Sequence, residues 1–166
     1  MPIEIERKFL ILNDAWRAEA SRSIPMRHGY LTELGSRASV RVRLEGRVGK
    51  LNIKAAVLGA ARAEYEYEIP AAEAEEVLAT LCGGLILKTR HYVERDGLTW
   101  EIDVFEGANA GLVVAEVELA TVDQHVPRPP WLGREVTAEP GYYNHALAKR
   151  PYGEWSQAEK LSAEGL

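Results

Sequence analysis

One cysteine, Cys82, stands in the 166 residues, so no internal disulfide can form, and thiols used this sparingly fit a reducing compartment. No window reaches the roughly 18 to 20 unbroken apolar residues of a membrane span. The start of the chain has no basic region followed by an apolar run, so no secretory leader is expected and the protein reads as cytoplasmic. Low-complexity tracts, long linkers and internal repeats are also missing, which favours one domain long enough to bury a real core. Net charge is −5 with a pI near 5.5. That balance argues against a general nucleic-acid surface, which needs clustered positive charge, but leaves room for a local cationic site inside an acidic shell. His28, His91, His125 and His145 follow no metal-ligand spacing and read as surface or hydrogen-bonding residues. With no basic neighbour in sequence, Cys82 reads as a packed thiol.

What the chain does have is alternation. Residues 3–11, "IEIERKFLI", read as a strand, followed by a short helix in "NDAWRAEA" capped by Asn13 or Asp14. "IPMRHGYLTE" is extended, and "ASVRVRLEG" with "GKLNIKAAV" forms a hairpin around a glycine-bounded turn. "AEYEYEIP" is a further strand. "AAEAEEVLATLC" has high helix propensity and stops at Gly83-Gly84. "LILKTRHYVER" and "LTWEIDVFEG" reverse at Asp96-Gly97, and "GLVVAEVELA" is another strand. "VPRPPWLGREVT" reads as mostly irregular, "GYYNHALAK" as a short helix, and 153–166 as a weakly ordered or helical tail. Seven or eight strands with helices that do not alternate between them favour an antiparallel sheet or barrel.

Strand side chains two apart share a face, and parity sorts the charges. Glu4, Glu6 and Lys8 fall on one face, as do Arg41 and Arg43; Lys50, Asn52 and Lys54; Glu64, Glu66 and Glu68; Lys88 and Arg90; Glu101 and Asp103; Glu116 and Glu118. One reading is a solvated sheet face above an apolar core. Against it, the strands are nearly pure in sign, so like charges repel unless a counter-charge or ligand lies between them, and Ser and Thr are scarce at these positions. The other reading is a closed barrel whose charged faces converge on one lumen. Cations Lys8, Arg41, Arg43, Lys54, Lys88 and Arg90 suit a polyanion such as phosphate. Carboxylates Glu4, Glu6, Glu116 and Glu118 are hard oxygen ligands of the kind Mg²⁺ or Mn²⁺ accepts. Together they describe a metal–phosphate site.

"EIERK" resembles the Glu-x-Glu-x-Lys signature of the CYTH, or triphosphate tunnel metalloenzyme, superfamily. "SVRVRL", "LNIK", "EYEYEIP", "KTRHYV", "LTWEIDVF", "GLVVAEVEL" and "WLGREVT…YYNHALA" fall in the order and spacing of small bacterial members, so the resemblance covers residues 1–152 and leaves 153–166 as a tail. It implies a mainly β (α+β) fold, an eight-stranded antiparallel β-barrel forming a charged tunnel with a few flanking helices. It implies metal binding by Glu4, Glu6, Glu116 and Glu118, and triphosphate contacts from Lys8, Arg41, Arg43, Lys54, Lys88 and Arg90. Glu64, Glu66, Glu101 and Asp103 fall on lining positions, to orient basic residues or hold a second metal. Arg134 and the helix carrying Lys149 are expected to close one tunnel end. Ala55 departs from the glycine that many relatives carry after the lysine.

Within the family, cyclase-type sequences commonly carry a His-Phe pair before the signature; here only Met1, Pro2 and Ile3 precede Glu4. The expected activity is therefore Mg²⁺- or Mn²⁺-dependent hydrolysis of inorganic triphosphate, with Arg41 and Arg43 neutralising phosphate and Lys88 or Glu118 assisting as base. Class IV adenylyl cyclase and thiamine-triphosphatase activities are the alternatives, and a non-catalytic polyphosphate- or nucleotide-binding module is the rival of another class. Partners are a triphosphate-bearing small molecule, with no nucleic acid and no membrane; the apolar outside of a barrel is compatible with a homodimer.

Overall fold

The structure is a computed structural model and describes residues 2–163. Its strands are β1 (Ile3–Ile11), β2 (Ala20–Tyr30), β3 (Ala38–Glu45), β4 (Val48–Ala55), β5 (Ala61–Ile69), β6 (Ile86–Arg95), β7 (Leu98–Glu106), β8 (Val113–Glu118) and β9 (Leu132–Glu135). The helices are α1 (Ala71–Thr80), α2 (Asn144–Lys149) and α3 (Gln157–Ala163), with a 3₁₀ turn at Asp14–Ala18 capped by the Asn13 side chain. No helix of the described residues is long and apolar enough to cross a membrane.

The strands pair antiparallel in the order β5-β4-β3-β2-β6-β7-β8-β1-β9, and a β5–β1 pairing closes the first eight into a barrel. Two tight hairpins set the register of the cationic strands. Gly46 has φ +58°, and the pair Asp96 (φ +53°) and Gly97 (φ +74°) takes the left-handed conformation that two-residue hairpin turns require. β9 is the strand missing from the sequence reading. It is four residues long inside a proline-rich stretch, too short to show a period, and its pairing to Phe9 and Ile11 of β1 makes it.

Alternation puts the charges inside and the apolar side chains outside, where three layers cover them. Phe9, Trp100, Ile102 and Val117 pack under Trp16 of the 3₁₀ turn and under Trp131. Val42 and Leu44 pack under Ala74 and Leu78 of α1. A third cluster differs in kind. Leu10, Val114, Phe105 and Ile86 have the inward parity of Lys8, Glu116, Asp103 and Lys88, one step further along each strand, and they pack with Leu147 of α2, Tyr142 and Tyr152. The interior therefore turns apolar at this end, and the C-terminal segment stoppers it. Trp155 extends the same cluster, stacking edge-on against Tyr142. Of the expected tail, Trp155 is thus packed onto the barrel end, while most of 156–162 is exposed; residues 164–166 lie outside the described residues.

Candidate active site

The remaining lumen is a polar cavity of about 400 Å³. On one wall, register sets Glu6 opposite Glu118 and Lys8 opposite Glu116. Oxygens of Glu4, Glu6 and Glu118 lie within 4.8 Å of one another, a group able to hold a metal ion, and the buried Glu4 Oε2 lies 3.0 Å from Lys54 Nζ. An all-carboxylate donor set of this size fits a hard divalent cation. Gathering the acids has a cost that shows in their protonation. Burial, then repulsion from Glu116 and Glu4, pushes the Glu6 carboxyl up to about 7. Burial and the charges of Glu4 and Glu6 push Glu118 up as well.

Glu116, the fourth expected ligand, stands outside this cluster. It accepts a 2.8 Å hydrogen bond from Lys8 Nζ and lies 3.5 Å from Arg90. Burial alone would raise its pKa, but Lys8, Arg90 and Lys88 hold it well below the usual carboxylate range. Glu116 is therefore the counter-ion of the cations and is ionised without a metal.

The opposite walls carry the cations, most of them already matched. Arg43 lies 2.5 Å from Glu45 and 3.3 Å from Glu66; Lys54 lies 3.0 Å from Glu4 and 3.2 Å from Glu64. Arg90 binds Glu101 at 2.5 Å and Asp103 at 2.8 Å. Glu101 nonetheless rises to about 7, because burial and the nearby Glu116 outweigh Arg90. Arg41 is the exception: it is buried, has no ion pair among the described residues, and its Nε lacks a partner, although burial is outweighed by Tyr30 and the charge of Glu64, which push its pKa up.

Two expected site residues are placed differently. Lys88 does not line the cavity. Its Nζ is fully buried beneath the cation layer, donating to Asp103 at 2.7 Å and Asn144 at 3.3 Å. Burial and Arg90, working against Asp103, bring it down to about 8. Arg134 is off the cavity altogether; on β9 it pairs with Glu139 and reaches Ser162 on the outer surface. The expectation for Arg134 came from the resemblance alone, since the stretch around it showed no strand period. His28 is neither a surface residue nor hydrogen-bonded: it is wholly buried with both ring nitrogens unpartnered, and burial plus Lys88, Arg41, Arg43 and Arg90 hold it neutral.

The lining also holds residues that sequence reading missed. Arg62 and Arg22 sit one turn of the alternation before the first residue read as strand, with the parity of Glu64 and of Ile24. Starting each strand one pair earlier would have found both. Tyr143, Asn144 and His145, at the start of α2, close the cavity where it meets the apolar stopper. The His145 ring stacks on Tyr30 with centroids 4.2 Å apart, and its Nε2 donates to the Thr32 carbonyl.

A wall of acids facing a wall of arginines and lysines inside a closed eight-stranded barrel is an arrangement with known relatives. The family model of the CYTH domain matches residues 2–152. The chain belongs to the CYTH domain family. An inorganic triphosphatase of Acetivibrio thermocellus is 43% identical over 150 residues, 90% of this chain and 95% of that one. One of Nitrosomonas europaea is 36% identical over 148 residues, 87% of this CYTH chain and 96% of the relative. A crystal structure of an inorganic triphosphatase superposes with TM-score 0.65 at 35% identity, covering 87% of this chain and 97% of that one.

Proposed function

We propose that this CYTH protein is a cytoplasmic inorganic triphosphatase, hydrolysing triphosphate to phosphate and pyrophosphate with Mg²⁺ or Mn²⁺ held by Glu4, Glu6 and Glu118. The observation that carries the reading is charge left over after pairing. Within one cavity, a buried guanidinium (Arg41) is paired with no carboxylate, while oxygens of three carboxylates lie within 4.8 Å of one another. A metal-bearing polyanion completes both. When bound, a divalent cation supplies charge neutralisation at phosphoryl oxygens.

The chain's own residues do the rest. Arg41, Arg43, Lys54 and Arg90 line the cavity and offer donors to the phosphate oxygens, Arg41 with no carboxylate bound to it. Lys8 holds Glu116 away from the metal cluster and, through it, fixes the edge of the cation wall. Lys88 acts from below: its contact with Asp103 supports the position of Arg90, and its place beneath the cavity makes it a poor candidate for the base. Glu118 faces the cavity, and a carboxylate oxygen left free of the cation is placed to accept a proton from the attacking water. Arg134 has no part in the site.

The test is release of phosphate and pyrophosphate from inorganic triphosphate, ATP and thiamine triphosphate, with Mg²⁺ and with Mn²⁺, beside Glu4→Gln. Metal-dependent phosphate release from triphosphate, lost in the variant, is the expected result. Pyrophosphate with cyclic AMP from ATP would move the protein to the cyclase branch, and tight triphosphate binding without turnover would make it a binding module.

A further inference from the structure

Arg62 differs from the other cations of the lumen in how it meets its acids. Lys8, Lys88 and Arg90 each hold a carboxylate at hydrogen-bond length, 2.8, 2.7 and 2.8 Å. Arg62 faces Glu4 across the β5–β1 pairing and reaches it at 3.6 Å and Glu6 at 3.7 Å, with no other acid among the described residues. Its charge therefore lies over two of the three carboxylates that form the candidate metal cluster, without being bonded to either.

On its other side the guanidinium lies 5.2 Å from the centre of the Tyr143 ring. That ring is itself fixed, since the Tyr143 hydroxyl donates to the Thr137 carbonyl at 2.6 Å. Arg62 thus has a second resting surface when it leaves the acids. Lys54, the other cation on Glu4, is anchored differently: it also holds Glu64 at 3.2 Å and can stay there. A divalent cation among Glu4, Glu6 and Glu118 and a guanidinium on two of the same groups repel each other in a poorly solvated wall. Only Arg62 has loose contacts to give up.

We propose that Arg62 is an internal counter-ion of the metal site: in the metal-free protein it neutralises Glu4 and Glu6, and a divalent cation displaces its guanidinium to occupy them. This rests on the reading of Glu4, Glu6 and Glu118 as metal ligands. Arg62 then sets metal affinity from above, lowering it, while keeping the empty carboxylate cluster tolerable. Because it lines the same cavity, the displaced guanidinium remains beside a bound phosphate.

The experiment is titration of the full chain with Mn²⁺ alone, free Mn²⁺ being read by electron paramagnetic resonance, at a pH where the carboxylates are ionised. Wild type, Arg62→Gln and Arg62→Lys are compared, each checked for folding by circular dichroism. Arg62→Gln is expected to bind Mn²⁺ about tenfold more tightly. Arg62→Lys, which keeps the charge but loses the planar fork, should fall between, and it carries the test alone if the glutamine variant does not fold. A merely structural arginine predicts unchanged or weaker Mn²⁺ binding in a folded variant, and that result overturns the inference while leaving the metal reading intact. Failure of wild type and variants alike to bind Mn²⁺ overturns both.

Discussion

Asp103→Asn tests whether the cation wall is held up from beneath. The Asp103 carboxylate is buried and takes Lys88 at 2.7 Å and Arg90 at 2.8 and 2.9 Å. The amide leaves one neutral oxygen where a carboxylate held both cations, with Asn144 Oδ1 as the other acceptor of Lys88 and with Glu101 and Glu116 beside Arg90. Taking one partner from a buried pair costs about 3–5 kcal/mol, because the other charge stays behind unmatched. At about 2–4 °C per kcal/mol for a domain of this size, the melting temperature should fall by about 6–20 °C. The pH dependence gives a second check. Lys88 is already lowered from 10.5 to about 8, so the unfolded chain binds more protons across that interval and stability rises with pH there. Without Asp103 the folded pKa drops further and the interval extends below 8. The deficit of the variant should thus be largest in mild acid and narrow as pH approaches 8, above which the two curves run parallel. Urea denaturation of both proteins across that range reads it directly. A loss under about 1 kcal/mol, or a deficit that widens with pH, would refute the support role. Adding Lys88→Met to Asp103→Asn should recover much of the loss, since an apolar side chain needs no counter-ion.

Glu6, raised from 4.5 to about 7 by burial, Glu116 and Glu4, binds protons in the fold that it releases when unfolded, so chelator-treated protein should lose stability as pH climbs through that window. The Mg²⁺-induced rise in melting temperature should grow over the same window, and a metal-induced shift independent of pH would count against the assignment. Arg41→Gln removes a buried charge that has no ion pair but is favoured by Tyr30 and Glu64, so it should change stability by no more than about 1 kcal/mol while weakening triphosphate binding by about a hundredfold, read by isothermal titration beside denaturation. A variant that loses stability and keeps affinity would make Arg41 structural. Arg134→Ala should leave kcat/KM for triphosphate within about twofold of wild type, because the group faces Glu139 and Ser162 outside the cavity.

Parity carried the sequence reading, and its strengths and failures share a cause. Where a strand is long and its two faces differ sharply, as in "IEIERKFLI" or "SVRVRL", a period of two fixes which residues converge, and Glu4, Glu6, Lys8, Arg41 and Arg43 all reach the cavity. Parity says nothing of depth along the strand. Lys88 and Asp103 have the inward sense but lie one layer below the cavity, and Leu10, Val114, Phe105 and Ile86 beyond them are packed into the stopper. Nor does it say which charges cancel. Parity left Lys8 free to face either the metal or the substrate; the register that sets it opposite Glu116 shows that the two neutralise each other. Once such pairs are removed, little charge is left without an ion pair: Arg41 on one wall, and on the other Glu6 and Glu118, beside a Glu4 that Lys54 holds and a loosely held Arg62. A barrel that served only as a scaffold would have paired these too, since an unmatched buried charge costs stability and gains nothing for the fold. Their persistence in a lumen otherwise so fully neutralised marks where a charged ligand would gain most, a distinction that alternation, which sorts the strands by sign but is blind to pairing, does not make.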